Sequence, residues 1–302
     1  VKREKEREAC FLFFLFAFSS TEYPMSDISA ADVKRLRDRT NAPMMDCKAA
    51  LVEANGDIQK AVEVLRKKNS AIQAKKGERE TAEGRIAVYI DPAKQAGAIV
   101  EVRCESAPVA KSEPFVKLAN EIAKQVAHNG AATVEALLAQ PLVDDPKRTV
   151  NDRIGEVVGQ IRENMKPARM ARLTGELGSY SHHDGSVGVL LQVEGGKAEA
   201  QLLRDICMHI TAKNPVSTRR EDVPQDLIDK EREIAKTQAL ATGKPPNIVN
   251  MIAEGKIKTW FAENVLLEQP FVKDDSKTVG DLLKSAGLKI VRFIRYKVGE
   301  IS

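Results

Sequence analysis

Residues 85–102 read RIAVYIDPAKQAGAIVEV, and within them apolar spacing changes from helical to alternating. Arg85–Ile90 and Ala98–Val102 each alternate, and Asp91–Gly97 between them carries turn residues, so the stretch predicts a β-hairpin. A helix is expected next, from Pro114 to His128, with the proline allowed in its first turn and Phe115, Leu118, Ile122 and Val126 on one face. The pattern then returns. GAIVEV at 97–102 is matched by GVLLQV at 188–193, and NEIAKQVA at 120–127 by RDICMHIT at 204–211. Two related hairpin–helix units therefore point to an internal duplication, with Met170–Leu177 and Val187–Val193 expected as the second pair of strands. Helices are also expected over Val150–Met165 and Ala198–Thr211.

Upstream of the hairpin the chain is helical. Ser29 caps Ala30–Arg39, the sequence TNAP at 40–43 breaks it, and Met44–Ala54 runs to the Asn55-Gly56 stop. Asp57 opens a third helix carrying Ile58, Ala61, Val62 and Leu65, which ends in the basic run 66–68. Downstream, Asp222–Ala241 and a helix capped by Asn247 and reaching Asn264 flank the breaker TGKPP. They predict a projecting antiparallel helical hairpin in which Ile228, Ile234, Ala235 and Ala239 face Ile248, Ile252, Trp260 and Phe261. Lys289–Val298 reads as a last strand; Ile290, Phe293 and Ile294 do not lie on one of its faces, which calls for a bulge or two-sided burial. The class is α+β. The expected divisions are a leader at 1–24, a three-helix module at 26–69, a linking helix within 70–84, and core subdomains at 85–168 and 169–302, the second containing the hairpin at 222–264.

The leader is a separate case. Residues 10–18, CFLFFLFAF, would cover roughly 14 Å as a helix, too short for a ~30 Å bilayer core. Three readings stand: sequence ahead of a true start at Met25, a targeting signal, or a structural segment. Elsewhere, 43% hydrophobic and 30% charged residues exclude a mainly disordered chain, and 5% aromatics disfavour a stacking platform for bases or sugars. A net charge of +4 is too mild to imply stable nucleic-acid binding. The basic runs 66–68 and 75–76 read as solvated helix surface, and no membrane association is expected. Cys10, Cys47, Cys104 and Cys207 lie far apart with no C-x-x-C, which fits a reducing cytoplasmic setting and no disulfide framework.

Catalytic motifs are missing from the sequence: no phosphate-binding loop, dinucleotide fingerprint, zinc-protease or serine-nucleophile pattern occurs. His182-His183-Asp184 reads as a polar hairpin turn without a third metal ligand, and Cys207-x-His209 as helix packing. No catalytic residue, metal or cofactor is expected, and the chain reads as a binding or regulatory protein.

Residues 33–68, VKRLRDRTNAPMMDCKAALVEANGDIQKAVEVLRKK, resemble the opening of bacterial elongation factor Ts. So do HHDGSVGVLL at 182–191, the EQPFVKD block within 230–283, and IRYKVGE at 294–300; the likeness spans about 26–302. The resemblance implies a guanine-nucleotide exchange factor for elongation factor Tu, binding its GDP-bound and nucleotide-free forms and not acting as an enzyme. It implies a ubiquitin-associated-like N-terminal module, two antiparallel-sheet core subdomains and a helical hairpin that family members use differently, which leaves self-association open. His182 and Gly185 match the family's hairpin. Pro43, Met44 and Met45 either touch the partner or close a turn and fill the small bundle's core. The family's Asp-Phe wedge, linked to Mg²⁺ displacement, falls in the loop Ser106-Ala107-Pro108-Val109. Here Ser106 keeps a hydroxyl and Val109 an apolar contact, but Ala107 has no carboxylate and Pro108 no aromatic ring. The alternative is therefore a regulatory or chaperone-like binder of elongation factor Tu with little exchange activity.

Overall fold

The computed structural model describes residues 28–300 except 197, 242 and 244. The leader 1–24, with Cys10 and its apolar run, lies outside the described residues, as does Met25. The chain divides into two compact units, at 1–69 and 70–302.

The first unit contains α1 (Ala30–Thr40), α2 (Met44–Glu53) and the start of α3 (Ile58–Lys76). Ser29 accepts from the Asp32 N–H at 3.1 Å, and Asn41 ends α1 in the left-handed conformation. Asp57 accepts from the Gln59 and Lys60 N–H groups, capping α3 as expected. Val33, Leu36, Cys47, Ala50, Leu51, Ala61 and Leu65 form the core. One expectation fails here. The third helix does not stop at 66–68 to be followed by a separate linker helix; it continues to Lys76, because no glycine or proline interrupts it before Gly77.

The second unit holds two three-stranded antiparallel sheets. One comprises β1 (Glu83–Asp91), β2 (Ala96–Cys104) and β3 (Met165–Thr174), in that order. The other comprises β4 (Glu176–Ser181), β5 (Val187–Gly195) and β8 (Leu288–Lys297). On the first sheet pack α5 (Glu113–Asn129) and α7 (Val150–Ile161), with α4 (Ala107–Ala110) and α6 (Val134–Ala139) beside them. On the second pack α8 (Ala200–Lys213) and α11 (Val279–Ser285). The sheets meet through Ile86, Ile99, Leu173 and Leu190, making four layers: helix, sheet, sheet, helix. Two-sided burial explains why β2 is covered from Ala96 to Val102 where one-sided alternation predicts exposure. Gly97 and Gly188, the first residues of the two matched hexapeptides, let the sheets approach. A Cβ on Gly97 would stand 2.9 Å from Leu177, and one on Gly188 would stand 2.6 Å from Ile86.

Met170–Leu177 is not one strand. It splits at Gly175 between β3 and β4, which belong to different sheets, so the expected pairing of 170–177 with 187–193 holds only for the β4 part. The helix expected over Val150–Met165 ends at Ile161, and Met165 already pairs with Cys104. The last strand shows both expected alternatives: register shifts between Gln192 and Val193 opposite Val291, and Ile290 and Phe293 pack into one core while Ile294 packs into another. The first sheet shifts at the matching place, between Glu101 and Val102.

A second repeat, carried by residues unnoticed in the sequence, ties each helix layer together. QPLVDDPKRTVND at 140–152 parallels QPFVKDDSKTVGD at 269–281. In both, threonine and aspartate close a capping box, Thr149 with Asp152 and Thr278 with Asp281. The N–H of Val150 reaches Gln140 O at 3.0 Å, and that of Val279 reaches Gln269 O at 3.1 Å. Gln125 of α5 donates to Gln140 Oε1 and accepts from the Val143 N–H. His209 of α8 does the same to Gln269 Oε1 and the Val272 N–H. The short strands β6 (Pro270–Phe271) and β7 (Asp274–Thr278) flank this second block.

Between α8 and that block the chain forms α9 (Gln225–Leu240) and α10 (Pro246–Asn264), which pack on one another. Their seam is made of Ala235, Ala239, Val249, Ala253 and Ile257. Ile234 and Ile248, expected to face each other, are instead among the exposed apolar residues, with Leu240 and Met251. Small alanines on both helices bring the backbones close and leave Ile234 and Ile248 outside the seam.

Candidate functional site

The segment leaving β2 is held from below and open above. The Cys104 thiol donates to Ser106 O at 3.4 Å, and Ser106, in extended backbone, opens α4. Pro108 fits this first turn, where its missing N–H has no helical partner to lose. Ala107 and Pro108 are exposed, Val109 is half-buried against the first core, and Ala110 is buried. The tip is thus a short helical turn rather than an irregular loop. The base is polar. Glu163, in the turn between α7 and β3, accepts the Ser106 O–H at 2.6 Å and the Ser106 N–H at 3.1 Å. Glu105 accepts the Asn164 N–H at 2.6 Å, while the Asn164 side-chain amide donates to the carbonyls of Gly77 and Arg79. Burial, and then the Glu163 carboxylate, push the Cys104 thiol up to about 12, so it is a packing residue and not a thiolate nucleophile.

The hairpin turn between β4 and β5 holds His182 and Gly185. Gly185 has φ of +75°, and its carbonyl accepts the Ile86 N–H at 2.8 Å; a Cβ there would meet Arg85 at 2.6 Å. Tyr180 hydroxyl and His182 Nδ1 are 3.1 Å apart, and the rings of His182 and His183 meet edge-on. Burial pushes the Asp184 carboxyl up, but the Ser186 N–H and O–H and the two imidazoles outweigh it and hold the group below its ordinary range. This turn and the 106–109 tip lie toward the same end of β1. Arg85 pairs with Val102 and Glu83 with Cys104, about 7 Å further along the strand.

Pro43, Met44 and Met45 belong to the other unit. Pro43 is half-buried, whereas Met44 is 50% and Met45 75% exposed, so the methionines do not fill the bundle core. Cys47, Ala50 and Leu51 fill it instead. Met45, Ala49 and Val52, at helical spacing, make an exposed apolar stripe along α2.

Cys207 is fully buried, and burial raises its thiol further. His209 is buried as well, and both of its ring nitrogens are used in the α8 clamp. Among the described residues, no group of three or more His, Cys, Asp or Glu is arranged to hold a metal ion. No described helix is long and apolar enough to cross a membrane. Glu163 and Asn164 do not stand out in the sequence, because the helical pattern of α7 continues through them to Met165. The only local signal was the polar run Arg162-Glu163-Asn164 after Ile161.

Residues 107–300 match the family model described as elongation factor TS. A protein of Thioalkalivibrio sulfidiphilus named elongation factor Ts is 45% identical over 277 residues, covering 90% of this chain and 92% of that protein. The Aquifex aeolicus protein of the same name is 43% identical over 284 residues, covering 90% and 98%. One from Clostridium perfringens is 42% identical over 285 residues, covering 90% and 93%.

Proposed function

The chain belongs to the elongation factor Ts family, and from that premise we propose that it is a guanine-nucleotide exchange factor acting on elongation factor Tu. Family members are exchange factors rather than enzymes, and cytoplasmic translation is the setting this partner implies. The observation that carries the reading is the exposed Ala107-Pro108 tip, raised on a base fixed by hydrogen bonds and by the packing of Val109.

GDP in such a partner is held by Mg²⁺ and by a backbone cradle fitted to the phosphates. A second protein speeds release only by binding the distorted cradle better than the intact one. About 4 kcal/mol of such differential binding corresponds to roughly 1000-fold faster release. In this chain the stripe Met45, Ala49 and Val52 provides apolar docking surface on the N-terminal unit. The 106–109 tip and the His182–Gly185 turn provide contacts on the second unit. Ala107 carries no charge to compete for Mg²⁺, and Pro108 presents a compact ring of fixed φ. The tip therefore acts by the shape of its backbone, displacing the phosphate side of the cradle, and Mg²⁺ loss follows from that distortion.

The test is release of a fluorescent GDP analogue from the cognate elongation factor Tu across Mg²⁺ concentration, with and without this protein. Acceleration that saturates with factor and is largely retained at low Mg²⁺ is expected. Tight binding with no faster release would replace this reading by the regulatory binder. Ala107→Asp with Pro108→Phe would then be expected to raise the rate.

A further inference from the structure

The two halves of the second unit are joined differently at one place. After β2 the chain forms 105–112 with the exposed tip, whereas β5 ends at Gly195 and α8 begins at Ala200. Register fixes what stands beneath each connection. Met165 pairs with Cys104, and Leu288 pairs with Gly195, so Glu163-Asn164 corresponds to Ala286-Gly287. In the half without a tip, the Gly196 N–H closes on the Gly287 carbonyl. In the half with one, a half-buried carboxylate accepts both the N–H and the O–H of Ser106.

Two bonds from one carboxylate to one residue fix its backbone direction and its side-chain rotamer together. That constraint acts on the next two residues. Ala107 and Pro108 have no long side chains with which to adapt, so their position is set by the backbone that leaves Ser106. Of the other hydrogen bonds at the base, the Cys104 thiol reaches only the Ser106 carbonyl, while Glu105 to Asn164 and Asn164 to Gly77 and Arg79 hold neighbouring segments and do not reach the tip.

We propose that Glu163 is the positioning residue of the tip, orienting Ala107 and Pro108 through Ser106 before the partner arrives. This rests on the exchange reading above, and the measurements separate the two. Glu163→Ala should lower the maximal rate of GDP release about tenfold at saturating factor, with the half-saturating concentration changed less than about twofold. Glu163→Gln, which keeps an acceptor for the Ser106 N–H and a donor for its hydroxyl, should recover most of that rate. Ser106→Ala combined with Glu163→Ala should be no slower than Glu163→Ala alone. Deuterium uptake at the amides of residues 106, 107, 109 and 110 should rise in Glu163→Ala while the melting temperature holds. If Glu163→Ala destabilises the whole unit, Glu163→Asp, whose shorter arm withdraws from Ser106, carries the same comparison. Wild-type rates in a folded Glu163→Ala protein would overturn the proposal, as would fully additive effects with Ser106→Ala. If the wild-type protein accelerates nothing, the exchange reading falls; unchanged uptake at the same amides would then overturn the positioning role, and increased uptake would support it.

Discussion

Gln125 in the first half of the core and His209 in the second do the same work with different chemistry. Each sits on the helix covering its sheet, each meets the glutamine of a Gln-Pro pair, and each accepts a backbone N–H two residues after that proline. Around them the halves keep matching glycines, matching bulges and matching capping boxes. They part company at two connections: the exposed tip at 105–112 in the first half, and the helical hairpin of α9 and α10 in the second. The shared parts are those that bury surface and satisfy backbone groups. The parts peculiar to one half are exposed, and the proposed exchange contact is among them.

Removing the clamps should give the largest effect. Gln125→Ala and His209→Ala each strand a backbone N–H and a glutamine side chain, and each should cost about 2–4 kcal/mol in urea unfolding. A cost below ~1 kcal/mol at one site with a large loss at the other would break the equivalence of the halves. The glycines should come next. Gly188→Ala and Gly97→Ala should each destabilise by about 1–3 kcal/mol, with Gly188 the worse because its nearest neighbour is closer. A Gly188→Ala cost that shrinks in an Ile86→Ala background, which removes the Cγ2 methyl it meets, would locate the crowding between the sheets.

The smallest effect separates histidine from glutamine. Burial pushes the His209 imidazole below its ordinary range, with a smaller contribution from Lys213, against the opposing bond to Gln269. Its Nδ1 already accepts the Val272 N–H, so a second proton has no acceptor there. The unfolded chain takes up that proton first as pH falls below about 6.5, and stability is lost from there downward. His209→Gln, which copies the first half, should remove this increment of acid sensitivity and leave the neutral-pH stability close to wild type. Parallel stability–pH curves for the two proteins would show that the clamp histidine does not titrate as its surroundings require.

Much of this was legible from the residues. Ser29, Asn41 and Asp57 mark helix ends through groups only a few positions away, and they do so in the structure. The duplication was visible in GAIVEV and GVLLQV, although its stronger trace, QPLVDDPKRTVND against QPFVKDDSKTVGD, passed unnoticed because irregular backbone has no apolar period. The division of Met170–Leu177 between two sheets was not legible, since alternation marks a strand without naming its partner. Nor was the outward turn of Ile234 and Ile248, which alanines on the facing helix decide.

The class, the helical module, the first hairpin and the absence of an Asp-Phe pair at 107–108 follow from the residues read along the chain. These rest on propensity, period and residue identity, all carried by neighbours in the chain. Tertiary structure alone decided that β2 and β5 are covered on both faces, that glycines 97 and 188 stand between the sheets, and that Glu163 holds Ser106. Those contacts join segments distant in sequence, and a carboxylate shows which distant N–H it accepts only after the sheets have brought them together.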